Sequence, residues 1–270
     1  MYENLISATE LAAALQHAPS WPRVLDCRAR LGEPDFGAAA YAERHIPGAH
    51  HADLDRDLAS TPGDHGRHPL PDPRVLAAKL RTWGVNDDDQ VIVYDDAGGA
   101  FAARAWWCLR WLGHAATAVL DGGLGNWPGP WSSDRTSSDP GNFSIRPALT
   151  RSITASKLSE QGNRYELIDA RTLVRFNGEN EPIDPVAGHI PGAHCLPFQG
   201  NLGSDGRFKS PEFLRQRFPG SASNVVCYCG SGITAAHNVL AMRIAGLEEP
   251  ILYPGSWSEW IVDPNRPIVP

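Results

Sequence analysis

The sequence contains no apolar run of about 18 residues, the length that a transmembrane helix requires, so we expect no membrane span. Its five cysteines are odd in number and spread over the whole chain, which argues against a disulfide framework. With 24 Lys and Arg against 31 Asp and Glu, it has no basic field for nucleic acid. Residues 1–20 lack the long apolar core of a secretory signal. We predict a soluble cytoplasmic protein with neither membrane nor nucleic-acid partners.

The 270 residues contain an internal repeat. Four motifs recur in the same order: HIPGAH at 45–50 and 189–194, VLDCR at 24–28 and LIDAR at 167–171, VIVYD at 91–95 and VVCYC at 225–229, and LDGGLGNW at 120–127 and YPGSWSEW at 253–260. Such self-similarity at a nearly constant offset predicts a tandem duplication. We predict domains at 1–135 and 150–270, joined by a linker at 136–149 within a stretch rich in Pro, Gly and Ser. One continuous domain with internal symmetry is the alternative.

Short apolar runs alternate with longer helical patterns in each half of the chain. This alternation predicts an α/β fold in which each domain is a parallel sheet with helices on both faces. Ligands of such sheets bind beyond the carboxyl ends of the strands. We predict strands at 24–26, 91–95, 118–120, 167–169, 225–229 and 250–253, and helices at 73–83, 102–112, 211–218 and 234–245.

The strongest chemical motif is the turn that begins at Cys229, between a predicted strand and a predicted helix. Gly230, Ser231 and Gly232 are small enough for the backbone to curl, so that several N–H groups can point at one atom. A nest of this kind, together with the helix N-terminus, stabilises negative charge. It would favour the nucleophilic thiolate and would also hold a sulfur anion added to the cysteine. We therefore predict that Cys229 is a nucleophile.

Three other interpretations of this turn are weaker. A cysteine phosphatase needs an arginine six positions after the cysteine, where this chain has Ala235. Cys227 and Cys229 form a single C-x-C pair, without a second pair to complete a metal site. A purely structural cysteine is the third alternative. The first copy has Asp95 at the position of Cys229, followed by a longer turn, and this asymmetry favours a functional Cys229 in the second copy.

Two arginines and two histidines are further candidates. Arg171 and Arg175 are four residues apart and would share a helix face, and a guanidinium suits an oxyanion or a carboxylate. Arg28 occupies the place of Arg171 in the first copy, so a salt bridge with the preceding Asp explains Arg171 at least as well. Arg175 has no such counterpart. His45 and His189 begin the HIPGA motif in both copies, which favours a structural turn; a role of His45 in the cleft is the alternative.

Taken together, these motifs resemble the two-domain sulfurtransferases of the rhodanese superfamily. The resemblance rests on HIPGA in both copies, VIVYD and RAWW in the first, and DAR, RF, CGSGIT and YPGSWSEW in the second. It implies an inactive first and a catalytic second rhodanese-like domain, with no metal or organic cofactor. Sulfur would pass through a cysteine persulfide, from a small anionic donor to a thiophilic acceptor such as cyanide, a small thiol or a reduced protein thiol. Some rhodanese-like domains are non-catalytic binding modules, but the retained Cys229 disfavours that alternative.

The loop also indicates the donor. C-G-S-G-I-T resembles the loop of 3-mercaptopyruvate sulfurtransferases, whereas thiosulfate sulfurtransferases, the alternative, more often have basic residues after the cysteine. The resemblance implies that Cys229 and Ser231 are catalytic. It also implies a set of substrate-binding residues: Arg175, Arg171, Gly230, Gly232, Ile233 and Thr234.

Two first-domain residues and one departure complete the resemblance. Family members pair the loop serine with a His and an Asp from the first domain; His45 matches that His by motif, and Asp35 matches the Asp only approximately. Mercaptopyruvate enzymes usually have a second carboxylate-binding arginine in an E-P-R segment before the second HIPGA. Here residues 180–184 read NEPID, without that arginine. The departure predicts weaker binding of a carboxylate by this segment.

Overall fold

The computed structural model describes residues 1–17, 22–161, 164–219 and 224–270. The chain forms two compact units. The first unit consists of residues 1–60, 71–149 and 204–207, and the second of residues 61–70, 150–203 and 208–270. Each unit thus includes a short segment from the other half of the sequence. We predicted residues 61–70 to lie in the first domain, but they pack in the second unit, which contains Cys229.

Residues 136–149, predicted as a linker, are part of the first unit. Backbone hydrogen bonds hold this stretch along the unit: the N–H groups of Gly141 and Phe143 donate to the carbonyls of Arg81 and Val85, at 2.8 and 3.2 Å. The Phe143 side chain is buried. We predicted a linker between the domains from the Pro, Gly and Ser content; residues 136–149 form no helix or strand, but they pack along the first unit.

The first unit is built on a five-stranded sheet with strand order β1-β5-β4-β2-β3, in which every pair is parallel. All four residues of β4 are buried, as expected of a strand covered on both faces. The elements are β1 (Leu5–Ile6), α1 (Ala8–His17), β2 (Arg23–Asp26), α2 (Phe36–Glu43), β3 (Ala49–His51), α3 (Pro73–Thr82), β4 (Val91–Tyr94), α4 (Ala102–Trp111) and β5 (Thr117–Leu120).

The second unit repeats this plan in a parallel sheet of order β6-β10-β9-β7-β8. Its strand order is that of the first unit, element for element, which agrees with the predicted duplication. Among the residues that the structure describes, no helix is both long and apolar enough to cross a bilayer. The elements are β6 (Arg151–Ser152), α5 (Ala155–Gln161), β7 (Glu166–Asp169), α6 (Leu173–Phe176), β8 (Ala193–Cys195), α7 (Pro211–Arg217), β9 (Val225–Tyr228), α8 (Ile233–Ile244), β10 (Ile251–Leu252) and α9 (Ser256–Trp260).

Candidate active site

The turn from β9 to α8 positions Cys229 at the carboxyl end of the sheet of the second unit. Only residues 229–232 separate the strand from the helix. Gly232 is in the left-handed conformation, with φ 76°, and a Cβ there would lie 2.2 Å from the carbonyl oxygen of Pro254. A residue with a side chain would be strained by the positive φ and would collide with Pro254, so only glycine fits here without a shift of the backbone. Cys229 itself is 2% exposed, so the thiol lies at the bottom of the turn.

A segment after β10 fixes the backbone of this turn. Ser256 accepts a hydrogen bond from the N–H of Cys229 through its Oγ, at 3.1 Å. The N–H groups of Trp257 and Ser258 donate to the carbonyls of Cys229 and Gly230, at 3.0 and 2.9 Å. Ser256 has φ 55°, an unusual conformation for a residue with a Cβ. The strained serine thus holds the loop in place, and sequence reasoning did not identify it.

The matching turn of the first unit is filled by its own carboxylate. Asp95 follows β4 as Cys229 follows β9, and its two oxygens accept four backbone hydrogen bonds of 2.8 Å, from the N–H groups of Ala97, Gly99, Phe101 and Ala102. Burial raises the pKa of Asp95, and the four donors oppose that shift. A turn at this position can therefore gather several amides around one anionic group, and in the first unit the side chain of Asp95 occupies them.

The other four cysteines are poor nucleophiles. Burial raises the pKa values of the Cys27, Cys108 and Cys227 thiols, and it raises the pKa of the half-buried Cys195 to about 11. These thiols stay protonated near neutral pH, and the thiolate is the reactive form. Their environments leave Cys229 as the candidate nucleophile.

Arg175 lies beside the loop. Its guanidinium binds Glu181, with Nη2 2.8 Å from Oε1, and Asp184, with Nη2 3.1 Å from Oδ2. The two terminal nitrogens are 3.3 and 3.5 Å from the point where a Cβ on Gly230 would be. Burial favours protonation of Glu181, but Arg175 and two backbone donors outweigh it and lower the pKa of that carboxyl. An ionised Glu181 thus orients Arg175 toward the loop.

Arg171 makes a different set of contacts. Its Nε and Nη2 bind the carboxylate of Asp169, at 3.0 and 2.7 Å, and Nη2 also donates to the carbonyl of Gly188. The side chain is 1% exposed. In the first unit Arg28 binds Asp26 through the same atoms. Arg171 Nη1 also binds Glu181, at 3.3 Å, so all three of its guanidinium nitrogens have protein partners, whereas Nη1 of Arg175 lies beside Gly230. The geometry therefore favours the salt-bridge interpretation of Arg171 over substrate binding.

Ser231 is bound to a histidine that the sequence reasoning missed. Its Oγ lies 2.7 Å from Nδ1 of His68, and both residues are buried. His68 belongs to residues 61–70, the segment from the first half of the sequence that packs in the second unit. The repeat contained a signal for it: GRH at 66–68 corresponds to GRF at 206–208, so only one copy has the histidine.

The two first-domain residues inferred from the motif make other contacts. His45 stacks on the ring of Tyr41 at 3.9 Å, and its Nδ1 lies 2.7 Å from the Tyr41 carbonyl oxygen. His189 of the second copy makes the same contacts with Phe176. The HIPGA histidines therefore fix a turn in both copies. Asp35 is exposed at the start of α2. His68, rather than His45, is the histidine that contacts Ser231.

Cys229 thus lies in a tight strand-to-helix turn of an α/β domain, beside the Arg175 guanidinium and the buried Ser231–His68 pair. The family model of the rhodanese-like domain matches residues 7–129 and 154–263, and the chain belongs to this family. Each matched range covers four of the five strands of one sheet and the helices around it, in agreement with the predicted fold class.

The relatives are named as sulfurtransferases. The chain is 51% identical to a "Probable 3-mercaptopyruvate sulfurtransferase" of Pseudomonas aeruginosa, over 98% of this chain and 97% of that protein. It is 33% identical to bovine thiosulfate sulfurtransferase, over 96% and 92%. The crystal structure of the 3-mercaptopyruvate sulfotransferase SseA from Escherichia coli superimposes with a TM-score of 0.81 at 31% identity, over 96% of this chain and 100% of that chain. The protein is accordingly an enzyme that transfers sulfur.

Proposed function

We propose that this enzyme transfers the sulfur of 3-mercaptopyruvate to a thiophilic acceptor through a persulfide on Cys229. The observation that carries the proposal is the geometry of one loop. Cys229 begins the turn, the Arg175 guanidinium lies beside Gly230, and Ser231 is hydrogen-bonded to His68. A nucleophile, an anion-binding group and a proton-transfer pair thus lie at three successive loop positions, 229–231.

In the first half-reaction the Cys229 thiolate attacks the sulfur of the donor. The new S–S bond forms as the donor's C–S bond breaks, and the bonding electron pair leaves on carbon as the enolate of pyruvate. The proton that began on the donor thiol ends on the methyl group of pyruvate. The products are pyruvate and a Cys229 persulfide anion, so atoms and charge balance.

We assign the transfer of that proton to Ser231 and His68. A hydroxyl 2.7 Å from an imidazole nitrogen can pass a proton and take one back in a single hydrogen-bonded chain. Arg175 would hold the carboxylate of the donor through charge-assisted hydrogen bonds, which orients its sulfur toward Cys229. The loop amides and the N-terminus of α8 would stabilise the persulfide anion.

In the second half-reaction a nucleophilic acceptor attacks the outer sulfur of the persulfide. With cyanide the new C–S bond yields thiocyanate, and the S–S bond breaks to regenerate the Cys229 thiolate. A small thiol or a reduced protein thiol would react at the same sulfur. The five free cysteines of the chain support the proposal that the enzyme works in a reducing compartment such as the cytoplasm.

The choice of donor is tested by comparing 3-mercaptopyruvate with thiosulfate on one preparation, with cyanide as the acceptor. Because Gly230, Ser231 and Gly232 add no positive charge to the loop, we expect kcat/KM to be at least about 10-fold higher for 3-mercaptopyruvate. The Cys229→Ser variant gives the uncatalysed background for both donors. A higher kcat/KM for thiosulfate would reassign the donor while keeping the persulfide chemistry.

A further inference from the structure

Arg67 is anchored to the active-site loop through its backbone. Its N–H donates to Ser258 Oγ at 3.0 Å, and the N–H of Ser258 donates to the carbonyl of Gly230 at 2.9 Å. The neighbouring Gly66 packs so closely that a Cβ there would lie 2.7 Å from the carbonyl oxygen of Gly255. Arg67 is therefore tied to the loop by a chain of two hydrogen bonds.

The Arg67 side chain reaches the same point of the loop as Arg175. Its Nη2 lies 3.0 Å from the position of a Cβ on Gly230, where a nitrogen of Arg175 lies at 3.3 Å. Asp184 joins the two arginines: it forms an ion pair with Arg67 Nη1 and binds Arg175 Nη2 at 3.1 Å. The Asp184 side chain is 2% exposed, whereas that of Arg67 is 26% exposed. One carboxylate thus fixes two guanidiniums next to Gly230.

The Nε of Arg67 is a buried donor. Among the residues that the structure describes, no group accepts a hydrogen bond from its buried Nε. A buried donor on a charged group that stays unsatisfied costs free energy, and such groups in folded proteins normally have partners. The Nε of Arg67 is thus a donor that an acceptor from outside the protein can satisfy, and Nη2 of the same side chain lies beside Gly230, the residue after Cys229.

The positive and negative charges beside Gly230 balance. Binding of an anion there therefore depends more on the orientation of the N–H donors than on the net charge. Asp184 and Glu181 offset the charges of Arg67 and Arg175. Two guanidiniums held in fixed orientations can still bind an oxyanion through several N–H groups at once. Residues 180–184, by contrast, contain no arginine that could provide a second fork.

We propose, building on the proposed function, that Arg67 is a second donor-binding arginine of this enzyme. Together with Arg175 it binds the anionic group of the sulfur donor, and Asp184 positions both. The second guanidinium comes from residues 61–70 instead of the segment before the second HIPGA motif. Selectivity for an anionic donor would accordingly depend on a residue from the first half of the sequence.

Alkylation of Cys229 tests this proposal without sulfur transfer. Iodoacetate carries a carboxylate and iodoacetamide is its neutral analogue, and the thiolate displaces iodide from either to form a C–S bond. The rates are read from the mass of the peptide that contains Cys229. For Arg67→Gln we expect the ratio of the iodoacetate rate to the iodoacetamide rate to fall about 10-fold, because a charge-assisted hydrogen bond to the carboxylate is lost.

Two further variants distinguish a loss of carboxylate binding by Arg67 from a structural effect of the substitution. Arg207 is the exposed counterpart of Arg67 in the repeat, and Arg207→Gln should leave the ratio unchanged. Arg67→Lys keeps the charge but not the fork, so the ratio should be intermediate; this variant also serves if Arg67→Gln does not fold. If Arg67 only docks its segment, both reagents slow equally and the ratio stays at the wild-type value, which would overturn the proposal.

The same variants distinguish this proposal from the proposed function. If the wild-type protein transfers no sulfur from 3-mercaptopyruvate, the proposed function fails, while the alkylation ratio still reports whether Arg67 binds a carboxylate. If transfer occurs and Arg67→Gln leaves both the ratio and the KM for the donor unchanged, only the assignment of Arg67 fails.

Discussion

Replacing Cys229 with serine is expected to lower the rate of sulfur transfer by at least about 1,000-fold, because a hydroxyl is not ionised at neutral pH and cannot replace the thiolate as nucleophile. The fold should be retained, since serine has the same shape and the loop is held by backbone hydrogen bonds to Ser256, Trp257 and Ser258. Thiocyanate formation from 3-mercaptopyruvate and cyanide measures the first effect, and the melting temperature measures the second.

Cys195→Ser is the matched control for this experiment. Cys195 is half-buried, and burial raises the pKa of its thiol to about 11. Its replacement should leave the rate of sulfur transfer within about twofold of wild type. Substantial activity in Cys229→Ser, or its loss in Cys195→Ser, would place the nucleophile elsewhere.

Replacing Arg175 is expected to produce the second largest effect. For Arg175→Ala we expect kcat/KM for 3-mercaptopyruvate to fall by about 100-fold, the result of losing two charge-assisted hydrogen bonds to the donor. The loss should appear in the KM for the donor, and the KM for cyanide should be unchanged, because cyanide reacts after the donor's carbon skeleton has left.

Stability has to be controlled in this experiment. Arg175→Ala removes one arginine from each of the buried carboxylates of Glu181 and Asp184, which keep Arg171 and Arg67 as partners. We therefore expect a loss of stability smaller than the roughly 3–5 kcal/mol that an unpaired buried charge costs. Arg175→Lys retains a positive charge and should lose only about 10-fold in kcat/KM while unfolding close to the wild-type temperature. An unchanged KM for the donor in both variants would remove Arg175 from the site.

The sequence predicted the central elements well because they obey the strongest rules. β4 and β9 are short, apolar throughout and buried at every position, which is the pattern of a strand covered by helices. We predicted the turn at Cys229 from the small residues that follow it, Gly230, Ser231 and Gly232. The edge strands β1 and β6 have two residues each, too few to show the alternation of apolar and polar residues that identifies a strand. They form strands because β5 and β10 pair with them.

The site was harder to predict than the fold. His68 and Arg67 lie more than 160 residues before the loop that they contact, in a segment whose signal in the sequence is the match of GRH at 66–68 to GRF at 206–208. The HIPGA motif pointed to His45, but its presence in both copies already favoured the turn that His45 and His189 in fact form. Ser256 was missed because its role depends on a positive φ, which no sequence pattern displays for a residue other than glycine.

The persulfide on Cys229 is tested most directly by intact mass. The protein is incubated with 3-mercaptopyruvate, freed of donor and analysed by mass spectrometry before and after addition of cyanide. We expect a gain of one sulfur atom, located on the peptide that contains Cys229, and its complete loss to cyanide with formation of one equivalent of thiocyanate. Turnover of the donor by a protein that never gains this sulfur, or gains it on another cysteine, would contradict the account.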